Sequence, residues 1–482
     1  MIRSFLASIL AATALLPPAA AGASAAVEAL LLQADRPTTL RARLFAHADS
    51  APDSAARGEA LLLAGVSYER DGEPDSAIAC YEKAIALRGE GAERDALAEA
   101  LCLRGRPGDA DRAIETLVPL VERGREDLQR EAADAKGLIA WAHYVAGRGD
   151  TALARMRAQQ WWLLHNFNPR QRAWRYRLGL LELERGDPQR SISLLSPLAL
   201  DSRFKDSDVM GILRDAAQKA GMLANLEFSL RTQLRRFDEV ESAGTEAVRG
   251  RPASFTGTDG FPLGGVTLAP AVQARARAAI VLVPHGEFHD AFDSLATGLR
   301  RAGYAVMLLD VRGWGASVAP DCPLPETWRG RESLMIDAAA RDVVPALRAL
   351  AGVARIDTTR YVIVGPGMAA PIAAVAAAQD ARARILVFLS PDPSPVDRGP
   401  LRARLAELRR PVFFMVPSTD GRTLPLVEAL YEAVDPRASR IVESDRIGSG
   451  ARVFNHDPAA LPRLTRWLDE SWPAAAARPT RR

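Results

Sequence analysis

A short motif recurs down the first half of the chain and restricts that half to one kind of architecture. Gly72-Glu73-Pro74-Asp75-Ser76-Ala77 is echoed at Gly108 to Ala113, Gly147 to Ala152 and Gly186 to Ser191, with a fainter turn at Gly221. Each copy is a glycine-centred turn followed five residues later by a small side chain that opens a new apolar-periodic run. The intervals are 36, 39, 39 and 35 residues, a period that belongs to stacked supersecondary units. Between Ala51 and Phe237 the pattern is otherwise helical and nearly free of strand signals. One such unit cannot bury its apolar face alone, so the units must stack into an array of four to five helical hairpins.

The first unit makes the pattern specific. Leu61, Gly65, Tyr68, Ala77, Tyr81 and Ala84 stand at the spacing with which tetratricopeptide repeats pack helix A on helix B, and this segment resembles that family. Small residues at Gly65 and Ala77 let two helices approach, while Tyr68 and Tyr81 fill the space beside them. Leu178-Gly179 and Leu195 around Gly186 repeat the arrangement. The resemblance implies a groove for a protein or peptide partner. The most aromatic stretch of the chain, Trp161, Trp162, His165, Phe167, Trp174 and Tyr176, supplies partner-binding candidates in Trp161, Trp162, Trp174 and Tyr176. Packing between irregular repeats is the competing explanation for the same residues.

From Glu241 to Pro270 the pattern changes to Gly, Thr and Pro with short β-prone runs. Phe255 to Val266 reads as a hairpin, and Ala279 to Pro284 as a strand buried on both faces, ending in His285-Gly286. A helix over Phe292 to Gly303 and a strand over Tyr304 to Leu309 follow. That strand enters Asp310-Val311-Arg312-Gly313-Trp314-Gly315-Ala316-Ser317. A helix is expected over Ile336 to Leu350, and strands at Tyr361 to Val364, Ile385 to Leu389, Val412 to Val416 and Arg440 to Val442. A helix over Asp457 to Leu468 closes the chain. Such alternation implies an open, mostly parallel sheet. The D-x-R-G-x-G-x-S turn, one helix after an H-G turn, resembles the α/β-hydrolase family over about Phe255 to Trp472. The fold class expected is α + α/β: an α-helical solenoid, tetratricopeptide-like, joined to an α/β-hydrolase-type sheet domain.

That family carries its nucleophile on a sharp strand-to-helix turn flanked by small residues. Val364-Gly365-Pro366-Gly367-Met368-Ala369-Ala370 matches the turn, yet its nucleophile slot holds Gly367, which has no side chain to attack with. Asp420 stands where the family's acid belongs, with Asp392 as second candidate. In the G-x-x-H pattern of many relatives, Gly448-Ser449-Gly450-Ala451 places Ala451 in the histidine slot. His456 lies in the same loop but precedes Asp457-Pro458, a helix start. Backbone N–H groups at Met368 and in the loop at Glu287 or Phe288 would form the oxyanion hole, although the Glu287 carboxylate would oppose an anion there. The implied protein is a catalytically inactive interaction scaffold. The alternative is an esterase or peptidase with a displaced nucleophile, Ser390 or Ser418.

Arg3 followed by the apolar run Phe5 to Leu16, then Pro17-Pro18 and small residues, reads as a cleaved export leader over 1–25. The organisation expected is therefore a leader (1–25), helical repeats (26–240), a linker (241–254), the hydrolase-like domain (255–472) and a disordered tail (473–482). Export places the protein in the periplasm or outside the cell, with no membrane span after cleavage. The 62 basic and 59 acidic residues leave a net charge of +3 with no concentrated basic face, which argues against a nucleic-acid partner. Cys80, Cys102 and Cys322 are too few for a disulfide framework. Their surroundings suggest no metal site, and no cofactor is implied.

Overall fold

The structure is a computed structural model that describes residues 24–472, except 89–90, 123–128, 166–167, 169, 202–206, 245–249, 271–274, 320–329, 422 and 447–449. The expected leader up to 23, Phe167, Cys322, Gly448-Ser449 and the expected tail lie outside the described residues. The chain divides into two compact units. The first holds Met1–Ala243 and Arg312–Met335, and the second holds Gly244–Val311 and Ile336–Arg482. The first unit thus takes back a segment that the sequence assigned wholly to the second.

The first unit is helical from Ala25 onward. Its helices are α1 (Ala25–Gln33), α2 (Pro37–Ser50), α3 (Ser54–Arg70), α4 (Pro74–Leu87), α5 (Gly91–Arg104), α6 (Asp109–Glu122), α7 (Gln129–Val145), α8 (Gly149–Ala158), the single turn α9 (Gln160–Leu163), α10 (Gln171–Arg185), α11 (Pro188–Asp201), α12 (Ser207–Lys219) and α13 (Leu223–Gly244). The motif glycines do what their spacing implies. Gly72, Gly108, Gly147 and Gly221 all take φ between 69° and 88°, a left-handed backbone that ends one helix and lets the next begin. Gly186 differs, at φ −125°. There the buried Glu182 carboxylate accepts the Asp187 N–H at 3.1 Å and organises the turn instead.

Successive helices meet at two of the small residues. A Cβ on Gly65 would stand 2.4 Å from the Tyr81 ring, so α3 and α4 meet where no side chain intervenes. Tyr81 is buried and donates its hydroxyl to Glu69 at 3.0 Å. In the same way Gly179 of α10 lies against Leu195 of α11, and Ser191 Oγ donates to the Gly179 carbonyl at 2.8 Å. Ser333, which groups with this unit, donates its hydroxyl to Asp71 at 2.9 Å beside the Gly72 turn. Cys80 and Cys102 are both buried free thiols.

The second unit is an eight-stranded sheet in the order β1-β2-β4-β3-β5-β6-β7-β8. The strands are β1 (Arg251–Thr256), β2 (Pro262–Leu268), β3 (Ala276–Val283), β4 (Tyr304–Asp310), β5 (Ile356–Pro366), β6 (Ala383–Leu389), β7 (Val412–Pro417) and β8 (Arg440–Ser444). The first two form the expected hairpin, with Phe255 opposite Leu263. From β4 through β8 every neighbouring pair is parallel. β4 and β7 are buried along their whole length, as uninterrupted apolar runs require when helices cover both faces.

The remaining helices are α14 (Asp293–Arg301), α15 (Glu332–Arg341), which the division between the units crosses after Met335, α16 (Val343–Val353), α17 (Ala370–Gln379), α18 (Arg398–Leu408), α19 (Thr423–Tyr431), α20 (Val453–His456) and α21 (Ala460–Ser471). The single helix expected over Ile336 to Leu350 is broken in two. Pro345 has no N–H to give the Arg341 carbonyl, so the helical ladder is interrupted there.

Two glycines separate close approach from mere helix membership. Gly65 faces the Tyr81 ring, whereas a methyl on Gly211 in α12 would have nothing within 4 Å. Replacing Gly65 by Val should therefore destabilise the helical unit by about 1–3 kcal/mol through overpacking. Gly211→Ala should stabilise it by roughly 0.5–1 kcal/mol. Urea unfolding followed by circular dichroism reads both, and equal effects at the two sites would rule out the close α3–α4 approach.

Candidate active site

Strand β5 passes into α17 through the tight turn Gly367–Ala369. At Gly365 a Cβ would meet the Ala373 methyl at 2.8 Å, the Ala369 carbonyl at 3.0 Å and the Ala370 Cα at 3.1 Å. The strand can thus lie against the incoming helix only without a side chain. Gly367 is the opposite case. Its φ is +50°, and the direction its side chain would take is open, with no atom within 4 Å. The backbone therefore presents an outward, left-handed position at the C-terminal end of a central parallel strand, with nothing mounted on it. Met368 beside it is 52% exposed, and its N–H lies in the first turn, where a helix leaves donors without intrahelical partners.

The loop after β6 braces this turn. Pro366 pairs with Leu389 in the parallel register, and the Asp392 N–H donates to the Gly367 carbonyl at 3.1 Å. Between them Ser390 is held at φ +44°, a conformation that a residue with a Cβ adopts at a cost of about 1–2 kcal/mol. Its N–H donates to Met415 at 2.8 Å. The turn Gly450–Arg452 arrives from the other side. A Cβ on Gly450 would lie 3.9 Å from the Pro366 side chain, and Ala451 is buried. The loop that the sequence matched to the family's histidine position thus reaches the strand-to-helix turn, carrying alanine.

The other sequence candidates are placed differently. Asp420 Oδ1 accepts the Thr423 N–H at 2.9 Å, and the Asp420 N–H donates to Pro417 at 3.0 Å; its carboxylate caps the start of α19. His456 ends α20 and is exposed. It does not cap the closing helix: Asp457, buried, accepts from the Ala459 N–H at 2.8 Å and from Ser444 Oγ at 2.9 Å. The Glu287 N–H is engaged within its own turn, donating to Pro284 at 3.2 Å. Its carboxylate pairs with Arg452 at 3.0 Å, which offsets the negative charge the sequence set against anion binding and links the loop after β3 to the turn after β8. With partners 53% and 32% exposed, that link is worth about 1 kcal/mol at most.

A histidine–carboxylate pair does form, between His289, which no sequence motif singled out, and Asp310, the first residue of the D-x-R-G turn. His289 Nε2 lies 2.7 Å from Asp310 Oδ1, with Asp310 1% exposed. The pairing follows from the sheet: β3 and β4 are parallel neighbours with Val283 opposite Asp310, so the loop leaving β3 passes the end of β4. Of the aromatic candidates in the helical unit, Trp174 and Tyr176 are 1% and 6% exposed. Trp174 Nε1 donates to the buried Asp134 at 2.7 Å, and Tyr176 packs with Leu195, Leu198 and Leu213. Both serve the packing between helices. Trp161, at 65%, and Trp162, at 36%, remain accessible. Among the described residues no group of His, Cys, Asp and Glu is arranged to hold a metal ion, and no helix is long and apolar enough to cross a membrane.

No protein-family model matches the chain, and neither does any curated protein. Solved structures with a similar arrangement include an esterase domain from Rhodothermus marinus, at 15% identity over 46% of this chain and 98% of that one, with a TM-score of 0.34. A CIB-like hydrolase from Thermoplasma acidophilum is 17% identical over 46% and 99%, with a TM-score of 0.35. An esterase of Pyrococcus furiosus is 14% identical over 46% and 91%, also at 0.35.

The strand and helix that flank the turn are tied together at their far ends by Asp380. Its carboxylate accepts from Tyr361 Oη at 3.0 Å and from Arg382 Nη2 at 2.8 Å. Burial opposes its ionisation, but the Arg382 guanidinium, the Arg382 N–H and the Tyr361 hydroxyl outweigh it and hold the carboxyl below its usual value. A depressed carboxyl contributes stability above its unfolded pKa of about 3.9 and loses it as pH falls through the lower native value. Asp380→Asn should thus lower stability by roughly 1–3 kcal/mol at pH 7. In urea titrations that gap should close progressively below about pH 4; a gap independent of pH would show that the contact is not ionic.

Proposed function

We propose that this chain is an exported interaction protein: a tetratricopeptide-like helical array acts as the binding arm, joined to an α/β-hydrolase-like unit that has lost its catalysis. One observation carries the reading. The residue on the strand-to-helix turn, where a hydrolase of this type mounts its nucleophile, is Gly367, and the space above it is empty. Two further features agree with it. Ala451 fills the histidine position of the neighbouring turn, and Asp420 serves as a helix cap. Members of a catalytic triad act as a unit, and loss of one abolishes most of the rate. Support for the binding arm comes from the helix-pairing contacts at Gly65 and Gly179. Support for export comes from the leader-like composition of the first 25 residues.

A second reading, an active hydrolase with a displaced nucleophile, is favoured by Ser390. Strained non-glycine backbone gathers at functional sites, and Ser390 follows directly on Leu389, the strand partner of Pro366.

Fluorophosphonate labelling and p-nitrophenyl ester hydrolysis separate the readings. The natural protein is expected to stay unlabelled, and Gly367→Ser to restore at most slow labelling, because no imidazole occupies the Ala451 position. Labelling of the natural protein that disappears in Ser390→Ala would replace the first reading by the second. Labelling that disappears in His456→Ala would place a working base in that loop and equally end the inactive reading.

A further inference from the structure

The starts of β3, β5, β6 and β7, neighbours in the sheet, gather arginines that lie far apart in the chain. At about 4.8 Å per strand the row is only about 15 Å wide. Most of its carboxylates are already engaged. Asp357 is shared by Arg275 at 3.2 Å and Arg360 at 3.1 Å. Asp380 holds Arg382 at 2.8 Å, and Asp469 holds Arg277. Among the described residues Arg355, Arg384, Arg409 and Arg410 form no ion pair, and neither does the one further carboxylate, Glu407 at the end of α18. Eight arginines therefore stand against four carboxylates. Arg300 and Arg301, in the last turn of α14, extend the row toward β4. Toward β8 it ends, where Glu432, Asp435 and Glu470 balance Arg437 and Arg440.

The arrangement works against the fold. Arg409 ends α18 at φ 49° and ψ 40°, a left-handed position usually given to glycine. It and Ser390 are the non-glycine residues with positive φ among the described residues. Burial, and then the neighbouring Arg384, hold the Arg410 guanidinium below its usual pKa. Strained backbone and uncompensated like charge gather at functional surfaces. Arg355, Arg384 and Arg409 are exposed, and Val353, two residues before Arg355, is 48% exposed. Arg277 and Arg360 lie over the Trp472 ring, 5.3 and 5.2 Å from its centre. Past Trp472 the sequence adds three arginines and no acidic residue. The sequence shows no concentrated basic face because the eight arginines are spread between 275 and 410; the parallel sheet assembles one.

We propose that this edge of the sheet docks on an anionic phospholipid surface. Guanidinium forks bind phosphate oxygens in pairs, and clustered basic residues are drawn to acidic headgroups. The exposed Val353 side chain would enter the apolar margin beneath those headgroups. A nucleic-acid strand is instead held on bare aromatic rings, and the Trp472 ring is already covered by two arginines. The inference concerns the second unit alone and stands whether or not the helical unit binds a partner.

The test sediments the full chain with phosphatidylcholine vesicles prepared with and without phosphatidylglycerol. Binding should require phosphatidylglycerol and weaken as salt rises. Arg384→Gln and Arg409→Gly should each weaken it about threefold or more. The second exchange also relieves the left-handed strain, so binding lost there would not reflect lost folding. Arg446→Gln, which removes one charge after β8 at the opposite edge, should leave binding unchanged. Equal binding to both kinds of vesicle, or none to those with phosphatidylglycerol, would overturn the proposal. So would a loss in Arg446→Gln as large as in the other two, since only overall charge would then matter. Capture of an oligonucleotide or of polyglutamate, with none of the vesicles, would give the edge to another polyanion and equally overturn it.

Discussion

A central parallel strand can turn at once into a buried helix only where two backbone positions forgo side chains for opposite reasons. At Gly365 a methyl would collide with the helix it faces; at Gly367 the backbone is left-handed and opens outward. The rest of the candidate site is arranged around this turn. The Asp392 N–H holds its carbonyl, Leu389 pairs with its last strand residue, and the Gly450 turn closes over Pro366. These contacts come from the ends of two other parallel strands, β6 and β8, which the parallel order of the sheet brings to one edge.

That arrangement separates scaffold from chemistry. A glycine at 365 is demanded by packing and a left-handed position at 367 by the sharpness of the turn, and neither demand specifies a nucleophile. The turn can therefore stand whether or not a side chain is displayed on it. Around it Ala451 is buried in its turn, Asp420 accepts from the first turn of a helix and His456 faces solvent. The strained Ser390 and the His289–Asp310 pair lie at the ends of parallel strands of the same sheet.

What the sequence disclosed follows the range of the interactions involved. The motif turns were legible because a glycine with positive φ is a local requirement, and four of the five take it. The slot at Gly367 was legible for the same reason. The sheet was legible through its apolar runs, though the split at Pro345 required attention to a single missing N–H. The burial of Trp174 and Tyr176 was not legible, because aromatic content does not say which face of a helix meets its neighbour. Nor was the pairing of His289 with Asp310, which exists only once two parallel strands fix their ends together. The grouping of Ser333 with the helical unit likewise shows only in its contact with Asp71, distant in sequence.

The central claim, a strand-to-helix turn kept intact around an empty position, is tested most directly by comparing the unfolding free energies of Gly365→Ala and Gly367→Ala. The geometry predicts that Gly367→Ala costs only about 1–2 kcal/mol, the penalty of a left-handed backbone with open space above it. Gly365→Ala should cost more, about 3 kcal/mol, because backbone atoms of α17 block its methyl. A Gly367→Ala variant as unstable as Gly365→Ala, or more so, would mean that position 367 is enclosed and that no vacant site stands at the end of β5.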